Sequence, residues 1–207
     1  MKRKNEIRVI LGKKGFGKTS YVIAETDELK RLVIFDYNRE YTKGKIISTP
    51  FELIQQLRLN QDGFFRLIYR PSDEFSIQQH FEFFSEIVYE IPNSYVVMEE
   101  IDLVSTAGFM PEGLQKIINY GRHKAINLFA ISRRAHKVPR DLTANADVIV
   151  TFNQQEPRDI KYLCDYMGEV GEKVRELKKG ETESEFLEFS IEGFQVRKIN
   201  FLTKKIS

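Results

Sequence analysis

Short apolar runs alternate along the chain with stretches whose apolar positions recur at helical spacing. The runs over 7–11, 32–36, 64–69, 95–98, 127–131 and 147–151 are rich in β-branched and aromatic residues and predict strands. Between them, apolar residues recur every three or four positions over 19–29, 51–59, 74–90, 112–123 and 156–167, which predicts helices. Strand–helix alternation of this kind predicts an α/β fold, a mainly parallel sheet flanked by helices, with any site at the carboxyl ends of the strands. Near the end the pattern changes: alternating runs over 185–190 and 194–199 flank Glu192 and Gly193 and predict a β-hairpin. A length of 207 residues accommodates one domain over 1–207, with a core at about 6–152 and a helix-and-hairpin extension at 153–207.

Between the first strand and the first helix stands Gly12-Lys13-Lys14-Gly15-Phe16-Gly17-Lys18-Thr19, which fits G-x-x-x-x-G-K-[ST] at every fixed position. The strand–turn–helix context lets backbone N–H groups of the turn, through Ser20, wrap phosphates at a helix N-terminus. Lys18 then reaches the β- and γ-phosphates and the Thr19 hydroxyl ligates Mg²⁺. Gly15 and Gly17 supply backbone conformations that larger residues resist.

The net charge of +2 is too mild to mark a nucleic-acid binder by itself. The single cysteine, Cys164, permits no internal disulfide, and its helical pattern predicts a buried thiol in a reducing compartment. No apolar run approaches the roughly 18 residues of a membrane span, and the charged start over 1–6 lacks a signal-peptide core.

A second strand ends in chemistry. Tyr95-Val96-Val97-Met98-Glu99-Glu100 is an apolar run followed by two carboxylates, the arrangement of a Walker B strand. Glu99 is expected to hold the Mg²⁺ hydration shell, and Glu100 to polarise the water that attacks the γ-phosphate. That pair favours hydrolysis over transfer to a small acceptor. With no N-K-x-D sequence after a strand to read guanine, the expected nucleotide is ATP.

At this point the chain resembles a family. Asp36-Tyr37-Asn38-Arg39-Glu40-Tyr41 is similar to the D-x-x-x-E-Y signature of the FtsK/HerA superfamily of DNA-pumping ATPases. The segment G-R-H-K-A-I-N-L-F-A-I-S-R-R over 121–134 is similar to that superfamily's arginine, core strand and T-Q-R-P-like ending. The resemblance spans roughly 7–151 and is strongest to the compact genome-packaging ATPases of tectiviruses, turreted archaeal viruses and poxviruses. It implies the P-loop NTPase (ASCE, RecA-like) fold. It also implies Arg122 acting in trans on a neighbouring subunit's ATP, and Arg133 at the sensor position where the family has Gln. Ser132 and Arg134 then fall on the family Thr and Arg, and Ala135 on its Pro. The implied assembly is a homo-oligomeric ring, a pentamer or hexamer, that moves double-stranded DNA without regard to sequence, with a capsid vertex or membrane protein as a further partner. The implied location is the host cytoplasm or the virion.

The residues themselves agree in kind. From Gly121 to Arg140 there are Arg122, Lys124, Arg133, Arg134, Lys137 and Arg140, with His123 and His136, and no Asp or Glu. Such a block makes a positive field suited to phosphates, with backbone contacts expected of a protein that must pass any sequence. His80, His123 and His136 show no metal-site spacing, and the aromatic stretch with Phe75, Phe81, Phe83, Phe84 and Tyr89 reads as packing. The alternative functions are a nucleotide kinase, a filamentous-phage type assembly or secretion ATPase, and a nucleotide switch without hydrolysis.

Overall fold

The fold, described here from a computed structural model, covers residues 5–61, 63–106 and 108–207; residues 1–4 of the charged start lie outside it. In chain order the elements are β1 (Ile7–Leu11), α1 (Lys18–Thr26), β2 (Arg31–Phe35), β3 (Lys45–Ile47), α2 (Pro50–Leu59), β4 (Phe65–Tyr69), α3 (Ile77–Tyr89) and β5 (Tyr95–Met98). They continue with α4 (Ile101–Val104), α5 (Glu112–Tyr120), β6 (Asn127–Ser132), α6 (Arg140–Ala144), β7 (Val148–Thr151), α7 (Pro157–Met167), β8 (Glu183–Ser190) and β9 (Gly193–Asn200). Three 3-10 turns, Gly121–Lys124, Ala135–Lys137 and Gly168–Arg175, link them.

All nine strands form one sheet in the order β3-β4-β2-β5-β6-β1-β7-β8-β9. The strands from β3 to β7 in that order pair in parallel, and the β8–β9 hairpin continues the sheet antiparallel to β7. The hairpin is therefore part of the main sheet. Parallel register puts the ends of β1, β2, β5, β6 and β7 on one edge, and every loop that carries site chemistry leaves from that edge.

Side-chain alternation sorts the core into two layers. Ile7, Val9, Leu11, Val33, Phe35, Val96, Met98, Leu128 and Ala130 face one layer, roofed by apolar faces of α2, α3, α5 and α7. Ile10, Leu32, Ile34, Val97, Phe129, Ile131 and Val150 face the other, where Tyr21 and Val22 of α1 pack. That second side has one long helix, and Tyr41, Phe186, Ile199 and Phe201 from outside it complete the cover.

The helix over 74–90 starts later than its periodicity suggests because Ser76 caps it. The Ser76 Oγ accepts from the Gln79 nitrogen at 3.3 Å, and the Gln79 side chain accepts from the Ser76 nitrogen at 3.0 Å. The helix over 112–123 tightens into the 3-10 turn after Tyr120, and Ala125 in the left-handed region (φ 53°) ends it. The three-residue β3 was not foreseen, being too short to show a period. Phe81 and Phe84 are core residues as expected, whereas Phe75 and Phe83 pair edge to face on the surface. Cys164 is only half-buried, 3.7 Å from a Glu172 carboxylate oxygen, so the expectation of a buried thiol is corrected. Among the described residues no helix is long and apolar enough to cross a membrane.

Helices α3 and α5 touch through Gly113. A Cβ there would overlap the Ser85 hydroxyl and lie 2.5 Å from the Glu86 nitrogen, so the helices can close only over a glycine. Gly113→Ala is expected to destabilise the fold by about 1–3 kcal/mol through overpacking, read as a lower denaturation midpoint with an unchanged slope.

Candidate active site

The P-loop leaves β1 and enters α1, and its geometry follows from close packing. Gly17 holds φ 101°, and a Cβ there would come 2.7 Å from the Phe201 ring. Gly12 (φ 148°) and Gly15 (φ 80°) share the positive-φ backbone that lets the turn curl inward. Lys18 is buried and donates to the Gly12 carbonyl at 2.7 Å and the Lys13 carbonyl at 3.3 Å. Burial lowers its ammonium below the usual lysine range, opposed chiefly by the Glu100 carboxylate.

Strand order assembles the remainder. β5 and β1 are separated by β6, so the backbone ends of β5 and β1 stand about 10 Å apart, roughly two strand spacings, with the Glu99 and Glu100 side chains reaching into the gap. That gap is a cavity of about 430 Å³ lined by Lys14, Lys18, Thr19, Glu40, Glu99, Glu100 and Arg133, among others. Arg133 leaves the middle strand and bridges it, its Nε 2.7 Å from Glu100 Oε2. The other Glu100 oxygen accepts from Asn38 Nδ2 at 3.0 Å. Glu100 itself has left-handed backbone (φ 54°, ψ 42°), a conformation that costs a non-glycine residue about 1–3 kcal/mol. The strain turns its carboxylate into the cavity.

The loop over 36–41 supplies side chains that the sequence alone did not rank as site residues. Asp36, fully buried, accepts from the backbone nitrogens of Glu40 (2.8 Å) and Tyr41 (3.4 Å) and from Arg70 Nε (2.9 Å). Arg70 also donates to the Tyr41 carbonyl at 2.6 Å. The loop so tied presents Glu40 to the Thr19 hydroxyl at 2.6 Å and Asn38 to Glu100. The D-x-x-x-E-Y pattern was the signal for these residues; nothing in the sequence pointed to Arg70.

The same site can hold a divalent cation. The Thr19 hydroxyl lies 3.4 Å from Glu99 Oε1, and Glu99 Oε2 is buried without a hydrogen-bond partner. Burial first, and the neighbouring Glu40, Asp36 and Glu100 carboxylates with it, push the Glu99 carboxyl up to about 8. A carboxylate so crowded by others, beside a hydroxyl and with an orphaned oxygen, is a donor set for a hard cation such as Mg²⁺. Thr19 and Glu99 are the residues that would hold it.

Arg122 is not in this cavity. It precedes β6, at the amino-terminal edge of the sheet, while its own P-loop lies at the carboxyl edge. The six residues of β6 separate the two edges by about 20 Å. Ser132 is buried and donates to Asp102 at 3.0 Å, and Asp102 also accepts from the Arg133 nitrogen at 3.3 Å, which fixes where Arg133 begins.

The basic block is acid-free in sequence but not in space. Arg134 meets Glu156 (2.6 Å) and Asp159 (2.9 Å), His136 meets Asp159 (2.7 Å), Arg140 meets Asp165 (3.2 Å) and Lys124 meets Glu90 (2.7 Å). These acids come from α7 and from the end of α3. His136, Glu156 and Asp159 lie close enough to share a cation, but Arg134 is already ion-paired with both acids. Lys13, Lys14 and Lys137, which line a neighbouring cavity, make no ion pair among the described residues.

The raised Glu99 carboxyl carries a pH signature. Its folded value lies above the ordinary carboxylate range, so the stability of its protonated form is present in acid and is lost as pH rises toward about 8. Glu99→Gln lacks that ionisation. Thermal melts without divalent cation should show the variant gaining on the parent from pH 5 to 8, then levelling off.

No protein-family model matches the chain, and no curated protein matches it. Among solved structures it is similar to the genome-packaging NTPase B204 of Sulfolobus turreted icosahedral virus 2 in complex with AMPPCP, at 19% identity and a TM-score of 0.74, covering 93% of this chain and 97% of that one. It is also similar to B204, the DNA-packaging ATPase of Sulfolobus turreted icosahedral virus (18%, TM-score 0.67, 95% and 98% covered). The pCW3 conjugation coupling protein TcpA is a more distant likeness, at 12% identity and a TM-score of 0.53, covering 95% of this chain and 60% of that one. The chain has the fold of these P-loop NTPases, a mainly parallel sheet flanked by helices and closed by an antiparallel hairpin.

Proposed function

We propose that the chain is an ATP-hydrolysing subunit of a ring that moves double-stranded DNA, and that its role is to package a viral genome into a capsid. The observation that carries this reading is the convergence of Lys18, Thr19, Glu99, Glu100 and Arg133 on one cavity at the carboxyl edge of the sheet. Structural relatives described with AMPPCP and with ATP-gammaS support a nucleoside triphosphate as the ligand, and the packaging and conjugation proteins among them support DNA as the load.

The residues divide the work. Lys18, now on the Gly12 and Lys13 carbonyls, turns its ammonium to the β- and γ-phosphates. Thr19 and Glu99 would hold a divalent cation, which when bound would supply charge neutralisation at the phosphate oxygens. Glu100 is the general base, and Arg133 and Asn38 hold both its oxygens. A γ-phosphate is a second anion within reach of Arg133; drawing the guanidinium away frees a Glu100 oxygen for the attacking water. Hydrolysis is thus tied to arrival of the third phosphate. Arg122, too far from its own P-loop, serves the γ-phosphate of the next subunit, and a head-to-tail contact of that kind closes into a ring of five or six.

Lys18→Ala is expected to abolish turnover and weaken nucleotide binding, while Glu100→Gln keeps binding and loses hydrolysis. Mixing Arg122→Ala with Glu100→Gln subunits should recover some turnover, since defects on opposite sides of an interface leave a fraction of sites intact. Steady-state ATPase assays with and without duplex DNA measure turnover and calorimetric ATP titration measures binding; no recovery in rings shown to be mixed counts against action in trans.

For DNA, Lys137, which makes no ion pair among the described residues and lies outside the P-loop, is a better candidate than the paired Arg134 and Arg140. Lys137→Ala should reduce the magnitude of the negative slope of log K against log salt by about 1, equally for unrelated duplexes, and Arg140→Ala by less. Equal slopes for parent and Lys137→Ala would remove Lys137 from the DNA path.

A further inference from the structure

The cavity has two ends. Glu99, Glu100 and Arg133 mark the end where the γ-phosphate belongs, so the nucleoside must leave past Ser20 at the other, which Lys179, Glu181 and Phe201 line. Those three residues come from the C-terminal part of the chain, outside every P-loop motif.

Their position is built. α1 alone cannot roof its side of a nine-stranded sheet, and the chain after β9 folds back across the gap. The Asn200 side chain accepts from the nitrogens of Leu202 (3.0 Å) and Thr203 (2.9 Å), and the chain returns to bridge Ile206 with Ile199. The Phe201 nitrogen donates to the Thr182 carbonyl at 2.7 Å, which pins the ring against Gly17 of the P-loop. Lys179 Nζ lies 5.5 Å from the centroid of the Phe16 ring on the same rim. Lys204 Nζ donates to the Ser20 hydroxyl at 2.9 Å, which sets a further cation at the first turn of α1.

An aromatic face, flanked by ammonium groups and set at the nucleoside end of a triphosphate cradle, is a stacking platform for a flat heteroaromatic ring. We propose that Phe201 is the nucleobase-stacking residue of this site, with Lys179 at its rim and Lys204 beside the α-phosphate. The inference rests on the nucleotide reading above and adds a subsite supplied by the C-terminal segment. Stacking holds the base by its face, so the platform itself accepts any purine.

The test uses the absence of tryptophan from the chain. Phe201→Trp introduces a single tryptophan at the platform, whose emission can be excited apart from the nine tyrosines. Its emission should change on saturation with ATP and stay constant on saturation with inorganic tripolyphosphate, which carries the phosphates without a base. In calorimetry, Phe201→Leu should weaken ATP by about tenfold to a hundredfold and leave tripolyphosphate affinity as in the parent, which also reports an intact P-loop. Constant emission while calorimetry records ATP binding overturns the proposal, as does equal loss of both ligands in a folded Phe201→Leu protein. Failure of the parent to bind either ligand would instead bring down the nucleotide reading itself.

Discussion

The site depends on buried carboxylates that the chain does not fully neutralise by itself. Asp36, Glu99 and Glu100 are all below a tenth exposed, and Glu40 reaches in beside them. Asp36 is satisfied by Arg70 and two backbone nitrogens, while Glu100 accepts one hydrogen bond from Asn38 and has its other oxygen held only by charge, in the ion pair with Arg133. Glu99 is left with an orphaned oxygen and a carboxyl pushed up to about 8. An uncompensated group of this kind is expensive in a folded core and is retained where a ligand completes it. The left-handed backbone at Glu100 belongs to the same economy of strain at a working site.

Strand order converts that chemistry into geometry. Insertion of β6 between β1 and β5 opens a gap wide enough for phosphates, and the residue that ends the inserted strand is the one that spans it. Asp102, holding both Ser132 and the Arg133 nitrogen, ties the middle strand to the helix that follows Glu100. Movement at Glu100 and at the end of β6 are therefore mechanically linked, through hydrogen bonds that a rigid parallel sheet keeps in register.

The lopsided layering of the sheet has its own consequence. Helices α2 to α7 pack on one face and α1 on the other, so the hairpin and the chain after it complete the second layer. Covering that layer brings Phe201 and Lys204 onto the P-loop. A packing requirement and a binding surface are met by the same residues.

The sequence by itself determined the strand–helix alternation, the P-loop and its neighbours, and the paired acids after β5, because each is local: a period, a spacing, or a strand-end motif that works within one turn of chain. Tertiary structure decided what depends on distant segments meeting. It paired Arg134, His136 and Arg140 with acids of α7, so that a block acid-free in sequence is largely neutralised in space. It placed Arg133 on Glu100 and Arg70 on Asp36, contacts of 33 and 34 residues' separation that no local pattern encodes. It also joined the hairpin to the main sheet and set Phe201 against Gly17, because the edge of β7 and the bare side of the sheet exist only once the strands have assembled.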